Sequence, residues 1–348
     1  MQENVFHDCI MPLCKKPASH YKIREILPYI ASCWTDNPEA SILWCMEITE
    51  TLQLSQEEQN LLAMHSALNV LNVILFELYS LRNTYGNHPS AETIEMRLHK
   101  AAESLSDSTA SGALMKNIED FIGQGIDLLQ DWQKDLASQG KSMTEFDQSM
   151  DNLESIFDIL RVRARELAAR INDPDAWVVF PINELLHNYL NVFMAIEKNS
   201  KGRYRIVYNL AEHDEAAYLV NLNITSHNGK SVKMPAVMQD ILRDLLANAR
   251  KYTKPGGRIE AGLYDSGTEL RLAVSDSGHG IPTEEIPKVV HFGERSSNAC
   301  APTRGGGFGL TKAYFYTKHF GGRMYIESEL ERGTQIFIHL PYTAHENN

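Results

Sequence analysis

Seven apolar residues, Phe146, Met150, Leu153, Phe157, Leu160, Ala164 and Leu167, step alternately four and three apart along the chain. On an α-helix that spacing lays one continuous apolar seam down one side, and a seam that long is stable only against other helices. A helix over roughly residues 144–170 therefore commits this part of the chain to a bundle. The residues before it agree. Ser55 and Glu58 have capping-box spacing and predict a helix start. From there to about residue 82, Leu61, Met64, Leu68, Leu71, Leu75 and Leu78 again alternate three and four apart, until Asn83, Gly86, Asn87 and Pro89 end the helix. A second helical stretch is expected over about residues 94–105. A third carries Leu114, Ile118, Phe121, Ile126, Leu129 and Trp132 to a stop near Gly140. Shorter helical stretches are expected before residue 50.

The pattern changes at the turn cluster Asn172-Asp-Pro-Asp175. Beyond it a helix near residues 182–198 is followed by strand-like runs at 204–208 and 218–225, with His227-Asn-Gly229 as a turn. A helix is expected over about 236–252, strands over 258–264 and 269–275, a helix around 310–319, and a closing hairpin from 323–328 and 334–340. This mixture is an α/β sandwich with a mostly antiparallel sheet. The fold class is thus multidomain, an all-α bundle followed by an α/β sandwich. The expected limits are an N-terminal helical extension over 1–53, a helical region over 54–171 and the α/β domain over 177–343.

Length and charge fit that division. At roughly 150 residues per domain, 348 residues suggest about two domains. The 33 basic and 45 acidic side chains give a formal charge of −12, and an acidic body repels phosphate backbones, so no nucleic-acid partner is expected. No stretch approaches the ~18 consecutive apolar residues of a membrane span, and the first twenty or so residues lack a signal-peptide or myristoylation pattern, so a cytoplasmic protein is expected. Five cysteines, Cys9, Cys14, Cys33, Cys45 and Cys300, make an odd set without Cys-x-x-Cys. They argue against a disulfide framework and are read as small buried hydrophobes, ahead of a metal or redox site near His7 and His20.

Four separated features in the second half carry chemistry by their joint order. Asp244 and Asn248 lie four apart, on one helix face, and offer the oxygen ligands that Mg²⁺ prefers when it bridges phosphates. Asp276-Ser-Gly278-His-Gly280-Ile281 follows a strand. Its carboxylate can accept from an exocyclic amine, and its glycines let backbone approach a flat ring. Arg304-Gly305-Gly306-Gly307-Phe-Gly309-Leu310 opens a helix, where free amides form an anion cradle. Gly333-Thr334 sits in the last hairpin. Neither a Walker-type Gly-x-x-x-x-Gly-Lys-Ser/Thr loop nor the His-Arg-Asp and Asp-Phe-Gly kinase set is present.

This ordered set resembles the N, G1, F, G2 and G3 boxes of the GHKL ATP-binding fold. Histidine kinases, gyrase-type ATPases, heat-shock chaperone ATPases and mitochondrial dehydrogenase kinases share that fold. The resemblance covers roughly residues 180–341 and is strongest to the catalytic domain of bacterial sensor histidine kinases, through DLLANARKYT and FPINELLHNYLNVF. It implies ATP and Mg²⁺. Asn248, with Asp244, would hold the metal. Lys251 would reach a phosphate, Tyr252 would cover the adenine and Asp276 would read its amine. Gly278, Gly280, Ile281, Arg304, Gly305, Gly307, Gly309, Leu310 and Thr334 would shape the pocket, and residues 284–304, with Phe292 as the F-box aromatic, would form a mobile lid. Asp244 stands where many histidine kinases have Asn and gyrase-like ATPases have a general-base Glu.

A histidine kinase also needs a helical histidine that its ATP domain can reach. The stretch HSALNVLNVIL, from His65 to Leu75, resembles the phosphoacceptor helix of sensor kinases, and His65 lies beside the Leu61–Leu78 seam rather than in it. The family usually has Glu or Asp after the histidine, to accept the imidazole proton. Here the residue is Ser66, a far weaker base. Asn69 stands at the family's phosphatase position. The resemblance implies a cytoplasmic homodimer that passes the ATP γ-phosphoryl to His65 and on to a separate response regulator, with its signal received through a separate sensor protein. The rivals are a phosphatase-biased or kinase-dead regulator, suggested by Ser66 and Asn69; a gyrase-type ATPase, suggested by Asp244; and a dehydrogenase-kinase-like protein kinase. The last is suggested by the sixty or so residues between the first and last bundle helices, where a short loop is usual.

Overall fold

A computed structural model describes residues 45–199, 205–299 and 306–342. The expectations for His7, Cys9, Cys14, His20, Cys33, Cys300, Arg304 and Gly305 fall outside the described residues. Helix α1 (Gln56–Tyr85) starts as the sequence predicts: Ser55 Oγ accepts from the Glu58 amide, and the Glu58 carboxylate accepts from the Ser55 amide. Gly86, at φ 89°, closes it with its N–H on the Arg82 carbonyl. Then come α2 (Pro89–Ser104), α3 (Ser108–Lys116), α4 (Ile118–Ser138) and α5 (Thr144–Asn172). The expected third helix is therefore two. Asn117 ends α3 and begins α4, because its side chain bonds back to the Ala113 carbonyl and interrupts the ladder.

Helices α1, α2, α4 and α5 close into a four-helix bundle within one chain: α1 packs on α2 and α5, and α4 packs on both of those. Every residue of the α5 seam is buried. The α1 seam is rotated from its expected position. Leu62, Met64, Ala67, Leu71, Ile74, Leu78 and Leu81 are buried, whereas Leu61, Leu68 and Leu75 are only partly so. The helix is apolar over much of its circumference, so spacing alone does not choose the buried side. For the same reason α1 is long and apolar enough, by length and composition, to cross a membrane, which qualifies the expectation that no segment could. Its apolar side packs in the bundle core beside Trp132, whose ring meets Phe146 edge-on at 5.3 Å. Each fully buried Leu or Ile in that core contributes about 2 kcal/mol.

The α/β domain begins before the bundle. Residues 46–47, expected in a helical extension, form strand β1 (Met46–Glu47), paired antiparallel with Ile326 and Tyr325. Ile48 follows into the core of that domain, its amide donating to the Met324 carbonyl. After α5 the chain returns through β2 (Trp177–Pro181), α6 (Ile182–Asn199), β3 (Arg205–Val207), β4 (Ala217–Ser226), β5 (Ser231–Pro235) and α7 (Val237–Tyr252). It ends with β6 (Arg258–Asp265), β7 (Glu269–Asp276), α8 (Phe308–His319), β8 (Arg323–Glu329) and β9 (Gly333–Pro341). The seven-stranded sheet runs β1-β8-β9-β7-β6-β4-β3, with β6-β4 and β4-β3 parallel and the rest antiparallel. Strands β2 and β5 make a separate antiparallel pair. Helices α6, α7 and α8 cover the sheet, burying Leu185, Tyr189, Ile241, Leu245 and Ala313 against strand residues such as Leu263, Leu272 and Ile338.

Candidate active site

Helix α7, the β7–β8 connection and the start of α8 meet at one end of the sheet. Lys251, in the last turn of α7, has its Nζ 5.3 Å from the Tyr252 ring centre. Burial, then the nearby Arg295 and Arg250 guanidiniums, hold its ammonium below its ordinary pKa. Positive groups gathered this way favour an anion among them.

Asp276 ends β7 opposite Thr334 of β9. Desolvation pushes its carboxyl up to about 7, against the pull of N–H donors from Gly278 and Thr334. A carboxyl so enclosed gains from an amine donor. The surrounding glycines are steric necessities. A Cβ on Gly278 would lie 2.6 Å from both Asp276 Oδ1 and the Tyr252 carbonyl oxygen, and one on Gly333 would lie 1.9 Å from the Asp276 carbonyl oxygen. Gly280 lies under the Glu329 carbonyl, and its own carbonyl accepts from Asn298 Nδ2. The Ile281 amide donates to Ser328 Oγ, which also meets Thr334 Oγ1 at 2.9 Å.

Gly307, at φ 74°, is the left-handed residue that lets the chain enter α8. Gly309 lies against α7, where a Cβ would come within 2.9 Å of Asn248 Nδ2. Leu310 packs partly buried against the core. Phe292 is tilted on Phe308 with ring centres 4.6 Å apart.

His65 is buried against this same corner. Its Nδ1 lies 3.1 Å from Asp244 Oδ2, its Nε2 lies 3.2 Å from Asn69 Nδ2, and its ring meets Phe308 edge-on at 5.6 Å. One turn earlier on α7, Asp240 accepts from Ser66 Oγ at 3.4 Å. Two consecutive residues of α1 thus face two carboxylates on α7. Lys312 of α8 is wholly buried, with Nζ 3.3 Å from Asp244 and 3.5 Å from Asp240. Arg170, near the end of α5, and Arg243 also bond Asp240, and Arg243 reaches Glu166 of α5 at 2.9 Å. Burial alone would raise both carboxyls. Lys312 and then His65 hold Asp244 below the ordinary range, and Arg170 and Lys312 do so for Asp240.

The structure therefore separates the sequence-predicted residues into two sets. Asn248, Lys251, Tyr252, Asp276, Gly278, Gly280, Ile281, Phe292, Gly307, Gly309 and Thr334 surround the corner where α7, the end of β7 and the start of α8 meet, while His65, Ser66, Asn69 and Asp244 form the seam between α1 and α7. Asp244 Oδ2 is shared by Lys312 Nζ and His65 Nδ1. Among the described residues no group of three or more His, Cys, Asp and Glu is arranged to hold a metal alone. Sequence reasoning missed Asp240, Lys312, Arg170, Arg295 and Phe308. For Asp240 a signal existed, since Asp240, Asp244 and Asn248 recur every four residues.

Residues 235–344 match the family described as histidine kinase-, DNA gyrase B-, and HSP90-like ATPase. The aerobic respiration control sensor protein ArcB of Escherichia coli (strain K12) is 34% identical over 113 residues, 31% of this chain and 14% of that protein. The histidine protein kinase DivJ of Caulobacter vibrioides is 32% identical over 104 residues, 30% of this chain and 17% of that one. The matches thus span less than a fifth of either relative. Among solved structures, the mycobacterial sensor histidine kinase MprB is 20% identical with a TM-score of 0.35, over 48% of this chain and 97% of that one. Residues 235–344 thus resemble the ATPase domain shared by histidine kinases, DNA gyrase B and HSP90, and the relatives that match there include sensor and histidine protein kinases.

Proposed function

We propose that the protein is a histidine autokinase of the two-component type, which moves the γ-phosphoryl of ATP to His65 and from there to an aspartate of a separate response regulator. The observation that carries this reading is the docking of His65 on α7. The ring contacts Asp244, one turn before Asn248, and Phe308, which directly follows the Gly-rich loop. A histidine elsewhere on the bundle would have no such route to a phosphoryl group.

In this reading Lys251 with Arg295 takes the phosphates, and Asp276 accepts from the adenine amine. Asn248 holds Mg²⁺ against the phosphates, and the metal neutralises their charge. The location is cytoplasmic, and a separate sensor protein delivers the signal to the helical region. The bundle core is complete within one chain, so a homodimer would form on the outer face of α1, where Val73, Phe76 and Tyr79 stay exposed.

The test is incubation with γ-labelled ATP and Mg²⁺, wild type beside His65→Gln. Label that is acid-labile, alkali-stable and absent from His65→Gln supports the reading. A wild type that binds ATP and acquires no label, or a His65→Gln that labels as well, defeats it. Transfer of the label to an isolated receiver domain tests the second step.

A further inference from the structure

His65 receives its carboxylate from an unexpected direction. The residue after it, Ser66, points its hydroxyl at Asp240 and not at the ring. The ring's polar partners are Asp244 Oδ2 at Nδ1 and the Asn69 amide Nδ2 at Nε2. A carboxylate only accepts and an amide NH₂ only donates, while a neutral imidazole has one N–H and one lone pair. Both contacts are satisfied by a single tautomer, with the proton on Nδ1 and the lone pair on Nε2.

We infer that Asp244, carried by the nucleotide-binding helix α7, is the positioning residue of His65, holding the ring in its Nδ1–H tautomer so that Nε2 can react. The inference rests on the reading of His65 as phosphoacceptor. Residue 66 cannot do this work, because its hydroxyl is a weak base engaged elsewhere. In the transfer, the Nε2 lone pair forms a bond to the γ-phosphorus, and the bond from that phosphorus to the β,γ-bridging oxygen breaks. Its electron pair leaves on ADP. Positive charge develops on the ring, and Asp244 stabilises it through Nδ1–H, as a buried aspartate does for the histidine of a Ser-His-Asp triad. Loss of the Nδ1 proton to water after the transfer leaves a neutral phosphoimidazole.

Two further contacts fit this role. Lys312 keeps Asp244 ionised and fixes it in place, and the Phe308 ring edge limits rotation of the imidazole. Asn69 is exposed, so its bond to Nε2 can open when phosphorus approaches. Because the carboxylate belongs to α7 and not to α1, His65 is set up for reaction only while the two helices are docked.

The test uses the full chain labelled with ¹⁵N-histidine, with His65→Gln assigning the signal. Long-range ¹H–¹⁵N spectra should place the wild-type proton on Nδ1. In Asp244→Ala, which removes the acceptor at Nδ1, the ring should lose its preference for Nδ1–H. The autophosphorylation rate constant at saturating ATP should fall on the order of 10²- to 10⁴-fold, with ATP affinity changed less than about threefold. An unchanged tautomer overturns the inference, and so does a loss confined to ATP affinity, which would assign Asp244 to the nucleotide. If Asp244→Ala does not fold, Asn69→Ala decides. The ring should stay Nδ1–H without Asn69, and a flipped ring would make Asn69 the group that sets it. A wild type that takes up no acid-labile label defeats the phosphoacceptor reading, and the tautomer measurement still decides whether Asp244 holds the ring.

Discussion

The bundle core and the seam where α1 and α5 meet α7 and α8 are made of opposite materials. The core is Leu, Ile, Ala, Met, Phe and one Trp, closed on itself and dry. The seam is His65, Ser66, Arg170, Asp240, Arg243, Asp244 and Lys312, most of them buried. Apolar packing is non-directional and tolerates small slips. Buried charges are intolerant: a fully matched set is close to neutral against an apolar one, and a half-matched set is costly. The difference teaches which part sets stability and which sets register. The bundle holds the helices together, and the seam determines which residue of α1 faces which residue of α7.

That contrast can be broken most severely at Lys312. Lys312→Met leaves two buried carboxylates short of their shared cation and should cost about 3–5 kcal/mol in urea denaturation. It should also weaken the docking of His65, read as a change in that ring's NMR signal. In the dry core, Leu160→Ala opens a cavity at a fully buried position and should cost roughly 2–5 kcal/mol. ATP affinity should not change, which separates core from seam.

A third prediction concerns pH. The Asp276 carboxyl is at about 7 in the folded chain against an ordinary 3.8, so between those values the folded state binds more protons than the unfolded one. Nucleotide-free stability should therefore fall as pH rises from about 4 to about 7 and then level off, by on the order of a few kcal/mol. Asp276→Asn should remove this part of the slope. The smallest effect is at the start of α1, where Ser55→Ala should cost about 1 kcal/mol without touching the seam.

What the sequence made legible followed from local pattern. The capping box at Ser55, the α5 seam, and the glycines around Asp276 and Gly309 are each written within about two dozen residues. The partners across the seam are not. Nothing near Lys312 says that its ammonium ends beside Asp240, 72 positions away, or that Arg170 joins them. Strand β1 was invisible for the same reason: two residues have no alternation to read, and its partner strand lies almost at the other end of the chain. The β2–β5 pair was missed because Trp177–Pro181 is short and ends in proline. His65 stands out by likeness to a helix, but that likeness points to the next residue for its partner, where the structure has a serine turned to Asp240.

Strand β1 has a mechanical consequence. The polypeptide leaves the sheet at Glu47 and re-enters the α/β domain at Trp177, so the bundle is an insertion tethered at both ends and not a rod on one linker. A rod can swing about a single joint at almost no cost. An inserted bundle that moves away from α7 must either flex both tethers or strip Met46–Glu47 from β8, taking Ile48 out of its core. Stripping that strand would bare the backbone edge of β8. The short strand acts as a latch on the bundle's travel, and a fragment cut at residue 177 would lack it.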